Sequence, residues 1–404
     1  MKKVLLLTPG YNADDIHIDA SPVVNYFARE WKNLGYDVRV VHLHTSFPWI
    51  MRTVARPFVR TLESKLGVTI CTETIHEKEY TDRNVPVYRI PMTKFKPHTR
   101  FKKSQINNAA KKILDYCNRE CFVPDVIISH FVNPCVEIMI ELKAKFNVPI
   151  VDVLHSNGEE FKQLYGDDWG KYKDSIDIMG YRCNAIRENF EDQYGIHKKW
   201  FYCYSGIPSN YVYENSDYRR FQMNNRFVYV GNFRPRKHAE SVVEGVAKAL
   251  PEKNFEIKFI GAGAGDVLIK QAADKYDLSD SQVRLLGFMD RESVRKHMQD
   301  SDVFVLISSN EVFGLVYLEA MSTGCIPIAS KREGFDGIIK DGVNGFLCEA
   351  GDSDELANII KRIKSLPIET LQAISNNAMN TARQMTDQAV AKEYIETVFN
   401  LIKK

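Results

Sequence analysis

The sequence predicts an α/β protein built from two Rossmann-like halves, each with a doubly wound parallel sheet. Apolar runs of strand length alternate with helical runs along most of the 404 residues. This alternation restarts after a polar, turn-rich break that begins at residue 205, and the length favours more than one domain. Strands that alternate with helices pair in parallel, so both faces of each sheet should be covered by helices.

The first half opens with a strand–helix–strand unit of Rossmann type. Val4–Thr8 is an apolar first strand, and Ser21 and Pro22 supply an N-cap and a first residue for a helix over Val23–Leu34. Gly35 ends this helix. The other strands predicted in this half are 36–43, 85–91, 125–130, 148–154, 175–179 and 200–204.

The second half repeats the strand–helix pattern from residue 226 and becomes helical from Asp352 to the end. We therefore predict an N-terminal domain over 1–205 and a second domain over 206–385. The strands predicted in the second half are 226–231, 255–260, 283–287, 302–307 and 326–330.

Composition and charge exclude several classes of protein. A net charge of +2 gives no general attraction to nucleic acid, and 44% hydrophobic residues argue against extensive disorder. The eight cysteines are scattered, which is typical of reduced, buried thiols. No apolar run reaches the roughly 20 residues of a membrane span, and the N-terminal run is too short for a signal peptide. These features predict a cytoplasmic protein.

Two basic segments are compatible either with solvated helices or with contact to a membrane. In residues 47–66 arginines recur every four residues among apolar side chains, and residues 94–112 hold the densest lysine cluster. Each segment is consistent with a solvated helix that covers the core. Each could also rest on an anionic membrane at its inner face, as a peripheral contact.

The candidate functional residues follow predicted strands, where parallel sheets bind ligands. Three cationic residues precede a helix: Arg234, Arg236 and Lys237. They could bind an anion, or they could form a solvated basic turn. His155 also ends a strand, and a structural histidine is the alternative. Gly261 lies in a glycine-rich turn whose spacing fits close backbone packing or nucleoside contact better than NAD binding. Gly10 follows the first strand.

Two glutamates flank the turn between a strand and a helix. Glu311 lies in the turn, and Glu319 follows eight residues later on the helix that starts after Gly314. Free N–H groups at a helix start beside fixed acceptors suit a ligand with phosphate and hydroxyl groups. Asp300-Ser301-Asp302 spells a metal-binding D-x-D, but it enters a strand and so lies at the wrong sheet edge. We therefore expect neither a metal nor a cofactor.

These motifs resemble the retaining GT-B glycosyltransferases of family 4, also called glycosyl transferases group 1. The resemblance rests on the E-x7-E pair Glu311 and Glu319, with Phe313-Gly314 between them, and on Gly231 with Lys237. It covers most of the second half, and the first half matches loosely. The resemblance implies two domains facing a central cleft, with a last helix, 386–404, that packs back on the N-terminal domain.

The resemblance also implies a role for each candidate residue. Glu319 would bind the ribose hydroxyls of a nucleotide, and Glu311 would hold hydroxyls of the transferred sugar. His155 would contact that sugar from the other domain. N–H groups near Gly314, Leu315 and Val316 would bind the diphosphate, opposite Arg236 and Lys237. The remaining donor-site candidates are Phe313, Gly261, Gly10, Asn232 and Arg234. Asn232 stands where the family often has arginine, and Arg234 could take the role of that arginine.

The activity implied is metal-independent transfer of a sugar, with retention of configuration, from a UDP- or GDP-sugar. The expected acceptor is a glycan or lipid-linked saccharide in surface polysaccharide biosynthesis. Two alternatives remain open: a GT-B enzyme with a soluble acceptor, such as a disaccharide or sugar-phosphate synthase, and a non-catalytic sugar-nucleotide-binding assembly protein. Nucleic acid is not an expected partner.

Overall fold

The computed structural model describes residues 1–16, 22–55, 73–96, 99–156, 159–212 and 221–403. The predicted N-cap Ser21 and residues 56–66 of the first basic segment lie outside these ranges. The chain divides into two compact units. The N-terminal unit holds 1–182, 186–203 and 391–404, and the C-terminal unit holds 183–185 and 204–390.

The N-terminal unit is built around an eight-stranded sheet of order β10-β9-β8-β7-β1-β2-β5-β4. Its strands are β1 (Lys3–Thr8), β2 (Asp37–His42), β4 (Lys78–Asp82), β5 (Val85–Arg89), β7 (Val126–His130), β8 (Ile150–Leu154), β9 (Ile178–Tyr181) and β10 (Trp200–Tyr202). A second, two-stranded sheet pairs β3 (Thr45–Ser46) with β6 (Met92–Thr93). The central strands β7 and β8 are buried on both faces, as the parallel arrangement requires.

Helices connect these strands. They are α1 (Val23–Asn33), α2 (Trp49–Ala55), α3 (Lys103–Arg119), α4 (Val132–Phe146), α5 (Glu160–Tyr165), α6 (Trp169–Ser175) and α7 (Asn184–Tyr194).

The C-terminal unit has a six-stranded parallel sheet of order β13-β12-β11-β14-β15-β16. Its strands are β11 (Arg226–Val230), β12 (Glu256–Ile260), β13 (Val283–Gly287), β14 (Val303–Leu306), β15 (Ile326–Ser330) and β16 (Phe346–Cys348). Its helices are α8 (Ala239–Ala249), α9 (Asp266–Lys275), α10 (Arg291–Gln299), α11 (Leu315–Ser322), α12 (Ser353–Ser365) and α13 (Ile368–Gln384).

The last helix, α14 (Asp387–Lys403), contributes its residues from Ala391 onward to the N-terminal unit. There the indole Nε1 of Trp31 donates to the Ala391 carbonyl at 2.9 Å. The ring of Tyr394 packs against Phe27 and Trp31 with centroids 5.1 and 5.0 Å apart. These buried aromatic contacts attach the end of the chain to helix α1.

Two predictions about strands are wrong. Ser175 ends helix α6, so the predicted strand 175–179 begins only at Ile178. The sheet of the N-terminal unit is also not wholly parallel, because β4 pairs antiparallel with β5 at the sheet edge. Strand β4 is largely exposed and polar, and therefore carries no apolar signal in the sequence.

A buried carboxyl group lies within the parallel sheet of the N-terminal unit. Asp152 on β8 has no exposed surface, and Ser129 Oγ on β7 donates to its Oδ1 at 2.5 Å. Its Oδ2 has no hydrogen-bond partner among the described residues. Burial raises the pKa of Asp152 from 3.8 to about 7, because the ionised form is desolvated there.

This raised pKa predicts a pH-dependent loss of stability. Between pH 4 and 7 the folded chain holds a proton on Asp152 that the unfolded chain releases, so stability falls as the pH rises. Asp152→Asn should remove this loss and gain stability relative to the wild type as the pH rises from 4 to 7, by about 1.4 kcal/mol per pH unit, with no further gain above pH 7. Thermal unfolding across this range measures the effect. The exposed Asp115→Asn serves as control, and parallel pH profiles for wild type and Asp152→Asn would contradict the assignment.

Candidate functional site

The loop between β14 and α11 carries the first predicted site glutamate. In this loop, Ser308–Gly314, the carboxylate of Glu311 accepts a hydrogen bond from Lys237 Nζ through Oε2. Ser308 Oγ donates to the same oxygen at 3.1 Å. The structure therefore brings together Lys237 and Glu311, which lie 74 residues apart in the sequence.

Burial lowers the pKa of Lys237, while the nearby Glu311 carboxylate partly offsets that effect. A buried ammonium group is costly unless it is paired, and Glu311 is its partner. Glu311 uses only Oε2 for the bonds from Lys237 and Ser308. Its Oε1 therefore remains available to accept a hydrogen bond from a ligand.

A second carboxylate, which was not predicted, holds the same loop. Glu333 Oε1 accepts from the Asn310 backbone N–H at 2.9 Å, and its Oε2 accepts from the Glu311 N–H at 2.6 Å. Burial raises the pKa of Glu333, although both backbone bonds favour the ionised form. Glu333 follows the end of β15 by three residues, so the strand-end rule that identified Glu311 would also have identified it.

The basic loop after β11 joins this glutamate loop through the backbone. Arg236 Nη1 donates to the carbonyls of Ser309 and Asn310 at 3.3 and 3.2 Å, and the Arg236 carbonyl accepts from Ser309 N–H at 2.8 Å. His238 Nε2 lies 2.8 Å from Ser309 Oγ. The two other predicted residues of this loop, Asn232 and Arg234, are exposed.

Helix α11 begins directly after the glutamate loop. Gly314 has φ +84°, and a Cβ there would lie 2.6 Å from the Tyr317 ring, so this position requires glycine. Leu315 and Val316 are the first two residues of the helix, where backbone N–H groups have no intrahelical acceptor. The side chain of Phe313 is buried, with its ring centroid 5.4 Å from that of Phe335.

Glu319 lies on the second turn of α11 and pairs with Arg291 of α10. Arg291 Nε and Nη2 both donate to Oε1, at 2.7 and 2.5 Å. The Arg291 guanidinium also lies 5.1 Å from the ring centroid of Tyr211. Because both bonds go to Oε1, Glu319 Oε2 can still accept hydrogen bonds from hydroxyl groups.

Gly261 allows two strand-end loops to pack closely. A Cβ at this position would lie 1.9 Å from the Gly231 carbonyl oxygen, and its φ is +143°. The Gly231 N–H donates to the Ile260 carbonyl at 3.0 Å. Of the alternatives that the sequence leaves open for Gly261, this contact favours close backbone packing.

In the N-terminal unit, the structure brings His155 and Gly10 together through Phe131. The rings of Phe131 and His155 stack with centroids 4.1 Å apart, and a Cβ on Gly10 would lie 3.1 Å from the Phe131 ring. Phe131 has φ +76°, which is uncommon for a bulky residue and occurs where surrounding structure imposes it. The sequence gives no signal for Phe131.

His155 is also held by a chain of polar groups. His155 Nε2 lies 2.8 Å from His130 Nδ1, and His130 Nε2 lies 3.3 Å from the hydroxyl of Tyr394. Burial lowers the pKa of both histidines, so both rings are neutral near pH 7. If Tyr394 donates to His130, then His130 donates to His155, and both hydrogens that link the three side chains have an acceptor. His130 ends β7, so the strand-end rule could have identified it.

Asp302 of the D-x-D sequence, which we did not expect to bind a metal, has structural contacts. Asp302 is fully buried, pairs with Arg226 at 2.9 Å, and accepts from the backbone N–H groups of Asn224 and Arg226. It lies at the start of β14, away from the strand ends that carry Glu311. Within the described ranges, no group of three or more His, Cys, Asp or Glu side chains is arranged to hold a metal ion.

The contact between Gly261 and Gly231 can be tested by adding a methyl group. Gly261→Ala should destabilise the C-terminal unit by about 1–3 kcal/mol from overpacking, beyond the cost of its positive φ. Gly287→Ala is the matched control, because Gly287 has φ +75° and open space around it. Thermal unfolding measures both variants. Equal losses would show that the backbone conformation alone matters.

The role of Glu333 can be tested at the two N–H groups that it binds. Glu333→Gln replaces one acceptor oxygen with an amide that cannot accept, so one bond to the loop is lost. Hydrogen exchange at Asn310 and Glu311 should accelerate about tenfold or more, as expected for a bond to a charged group. Glu349→Gln, which removes a carboxylate paired with Arg332, is the control. Unchanged exchange in Glu333→Gln would contradict the role.

Comparison with known proteins gives a family match for part of the chain and a fold for the whole chain. Residues 214–381 match the family model described as Glycosyl transferases group 1. N-acetyl-alpha-D-glucosaminyl L-malate synthase of Bacillus anthracis is 30% identical over 175 residues, which are 43% of this chain and 44% of that protein. An uncharacterized glycosyltransferase of Methanocaldococcus jannaschii is 27% identical over 70% of this chain and 76% of its own. The match to the first relative thus spans less than half of its length.

Two solved structures resemble the whole chain. Sucrose-phosphate synthase from Thermosynechococcus elongatus superposes with a TM-score of 0.69 at 17% identity, covering 100% of both chains. HepE of Anabaena in complex with UDP superposes with a TM-score of 0.68 at 18% identity, covering 99% of this chain and 100% of its own. At such identities the likeness shows the fold. Residues 214–381 therefore match the glycosyl transferases group 1 family, in a chain of GT-B fold.

Proposed function

We propose that this chain is a retaining glycosyltransferase that transfers a sugar from a UDP- or GDP-sugar without a metal ion. The observation that supports this most is the buried Lys237–Glu311 pair beside the start of helix α11. It combines a cation, a free acceptor oxygen and unbonded helix N–H groups in one unit. A sugar diphosphate presents the complementary groups, namely anionic oxygens and hydroxyls.

The diphosphate would be bound by Lys237 and by the N–H groups of Leu315 and Val316. The loop after β11 carries three cationic side chains, Arg234, Arg236 and Lys237, and the loop after β14 carries one carboxylate, Glu311. An added anion would therefore improve the local charge balance. It would also favour the charged form of Lys237, whose pKa burial lowers.

The hydroxyls of the donor would be bound by the two glutamates. Glu319 Oε2 is free to accept from a ribose hydroxyl while Arg291 holds Oε1 and so fixes the carboxylate. Glu311 Oε1 is free to accept from a hydroxyl of the transferred sugar. We propose further that His155, oriented by His130 and Phe131, contacts this sugar.

In the reaction, the bond from the anomeric carbon to the diphosphate oxygen breaks, and the acceptor oxygen bonds to the same face of that carbon. The acceptor's proton passes to the leaving diphosphate, which gains negative charge as its bond breaks. Lys237 and the helix N–H groups would stabilise that charge. Anomeric analysis of the product by NMR tests retention, and an inverted product would contradict it.

The proposed acceptor is a glycan or lipid-linked saccharide of surface polysaccharide biosynthesis, which places the protein in the cytoplasm or at the inner face of the membrane. No helix in the described part of the chain has the length and apolar character needed to span a membrane. A soluble acceptor is the second candidate, because one relative is named N-acetyl-alpha-D-glucosaminyl L-malate synthase. Incubation with a labelled donor and each acceptor class, followed by product extraction, separates the two.

Nucleotide binding provides the direct test of the donor site. Glu319→Ala should weaken binding of UDP or GDP, whichever the wild type prefers, by about tenfold to a hundredfold, because a hydrogen bond to a charged group is lost. Isothermal titration of the purified protein measures this affinity, and transfer assays should show a matching loss.

The control for this experiment is Glu252→Ala. Glu252 is also a carboxylate paired with a cation in the C-terminal unit, at 3.0 Å from Lys364, but it precedes β12 and so lies at the opposite sheet edge. Its removal should leave nucleotide affinity unchanged. Full nucleotide affinity in Glu319→Ala would overturn the ribose assignment, and no affinity of the wild type for any nucleotide would overturn the proposed function.

A further inference from the structure

One region of the N-terminal unit exposes apolar side chains next to basic ones. Among the described residues, thirteen large hydrophobic side chains are exposed, and most of them are isolated. Four belong to two short segments: Trp49, Ile50 and Met51 on α2, and Phe95 after β6. Trp49 and Phe95 are 69% and 68% exposed, which is costly in water for aromatic rings without a partner.

The small second sheet brings these two segments together. Ser46 of β3 pairs in parallel with Thr93 of β6, and the Lys94 N–H donates to the Ser46 carbonyl at 3.0 Å. Helix α2 starts three residues after Ser46, and Phe95 lies two residues after Thr93. Both segments therefore leave the same end of the same pair of strands.

Of the four apolar side chains, Phe95 lines a basic cavity of about 500 Å³. Its lining includes Lys94, Phe95, Lys96, Arg100 and Lys102. Arg100 is already paired with Glu137 at 2.7 Å. Within the described ranges, no carboxylate lies within 4 Å of the ammonium groups of Lys94, Lys96 or Lys102. The charges of Lys96 and Lys102 therefore have no partner among the described residues, whereas the Lys94 ammonium lies 5.1 Å from the Phe101 ring centroid and is attracted by Glu160.

We propose that this surface, formed by Trp49–Met51, Phe95, Lys94, Lys96 and Lys102, docks the protein on an anionic lipid membrane. Three successive helical residues cover about 200° of the helix circumference, so α2 can insert apolar groups broadly into the interface. Tryptophan is enriched at that depth, and unpaired lysines attract anionic headgroups. Protein interfaces are depleted in lysine, which favours lipid over a protein partner.

This inference rests on the proposed function, because a lipid-linked acceptor requires access to a membrane. Docking would hold the N-terminal unit where such an acceptor is found. The proposed function and the proposed membrane surface can be refuted by separate experiments. Nucleotide titration without vesicles tests the donor site, whereas vesicle binding without nucleotide tests the surface.

Vesicle sedimentation is the experiment. The wild type should bind vesicles of equal parts phosphatidylglycerol and phosphatidylcholine, bind phosphatidylcholine alone at least tenfold more weakly, and dissociate as salt is raised. Trp49→Ser with Phe95→Ser should lower the partition coefficient at least tenfold. Lys94→Gln with Lys96→Gln and Lys102→Gln should lower it and flatten its dependence on salt.

Matched controls come from the C-terminal unit. Phe288→Ser removes an aromatic ring that is 89% exposed, and Lys270→Gln with Lys296→Gln and Lys361→Gln removes three exposed charges. Both controls should bind vesicles as the wild type does. The proposal would be overturned if the wild type did not bind anionic vesicles. It would also be overturned if the surface variants bound as tightly as the controls. A dimer in solution that Trp49→Ser dissociates while vesicle binding is absent would overturn it as well.

Discussion

The ion pair between Lys237 and Glu311 is the interaction on which the candidate site depends. It joins the loop after β11 to the loop after β14, two strands that are neighbours in the sheet of the C-terminal unit. A buried pair of this kind adds little net stability, because desolvation offsets most of the attraction. Losing one partner is costly, however, since the other charge is then buried without a partner. The pair therefore fixes the relative position of the loops more than it strengthens the fold.

The sequence predicts the position of this site because strand ends in a parallel sheet meet at one edge. Glu311, Lys237 and Gly261 each follow an apolar strand, and their strands are adjacent or next to adjacent in the observed order. The same reasoning works for His155. Apolar strands and helices are visible in the sequence because burial imposes a periodic pattern. The polar edge strand β4 has no such pattern, and for that reason it was missed.

The side-chain partners of the site could not be predicted. Glu333 reaches the backbone of Glu311 across 22 residues, and Tyr394 reaches His130 across 264. Such contacts depend on how loops turn after their strands and on where the last helix packs. Neither feature is encoded in local periodicity. The positive φ of Phe131 is a similar case, because a bulky residue adopts it only when its surroundings impose it.

The two neighbouring cations, Arg236 and Lys237, also differ in a way that sequence alone hides. Both precede a helix, and on charge alone both suit an anion. Arg236, however, directs Nη1 at two backbone carbonyls of the glutamate loop, so part of its guanidinium serves to hold that loop. Lys237 instead places a desolvated ammonium on a carboxylate. An arriving anion would gain more from Lys237, whose charge is the less well solvated of the two, while Arg236 keeps the loop in place to receive it.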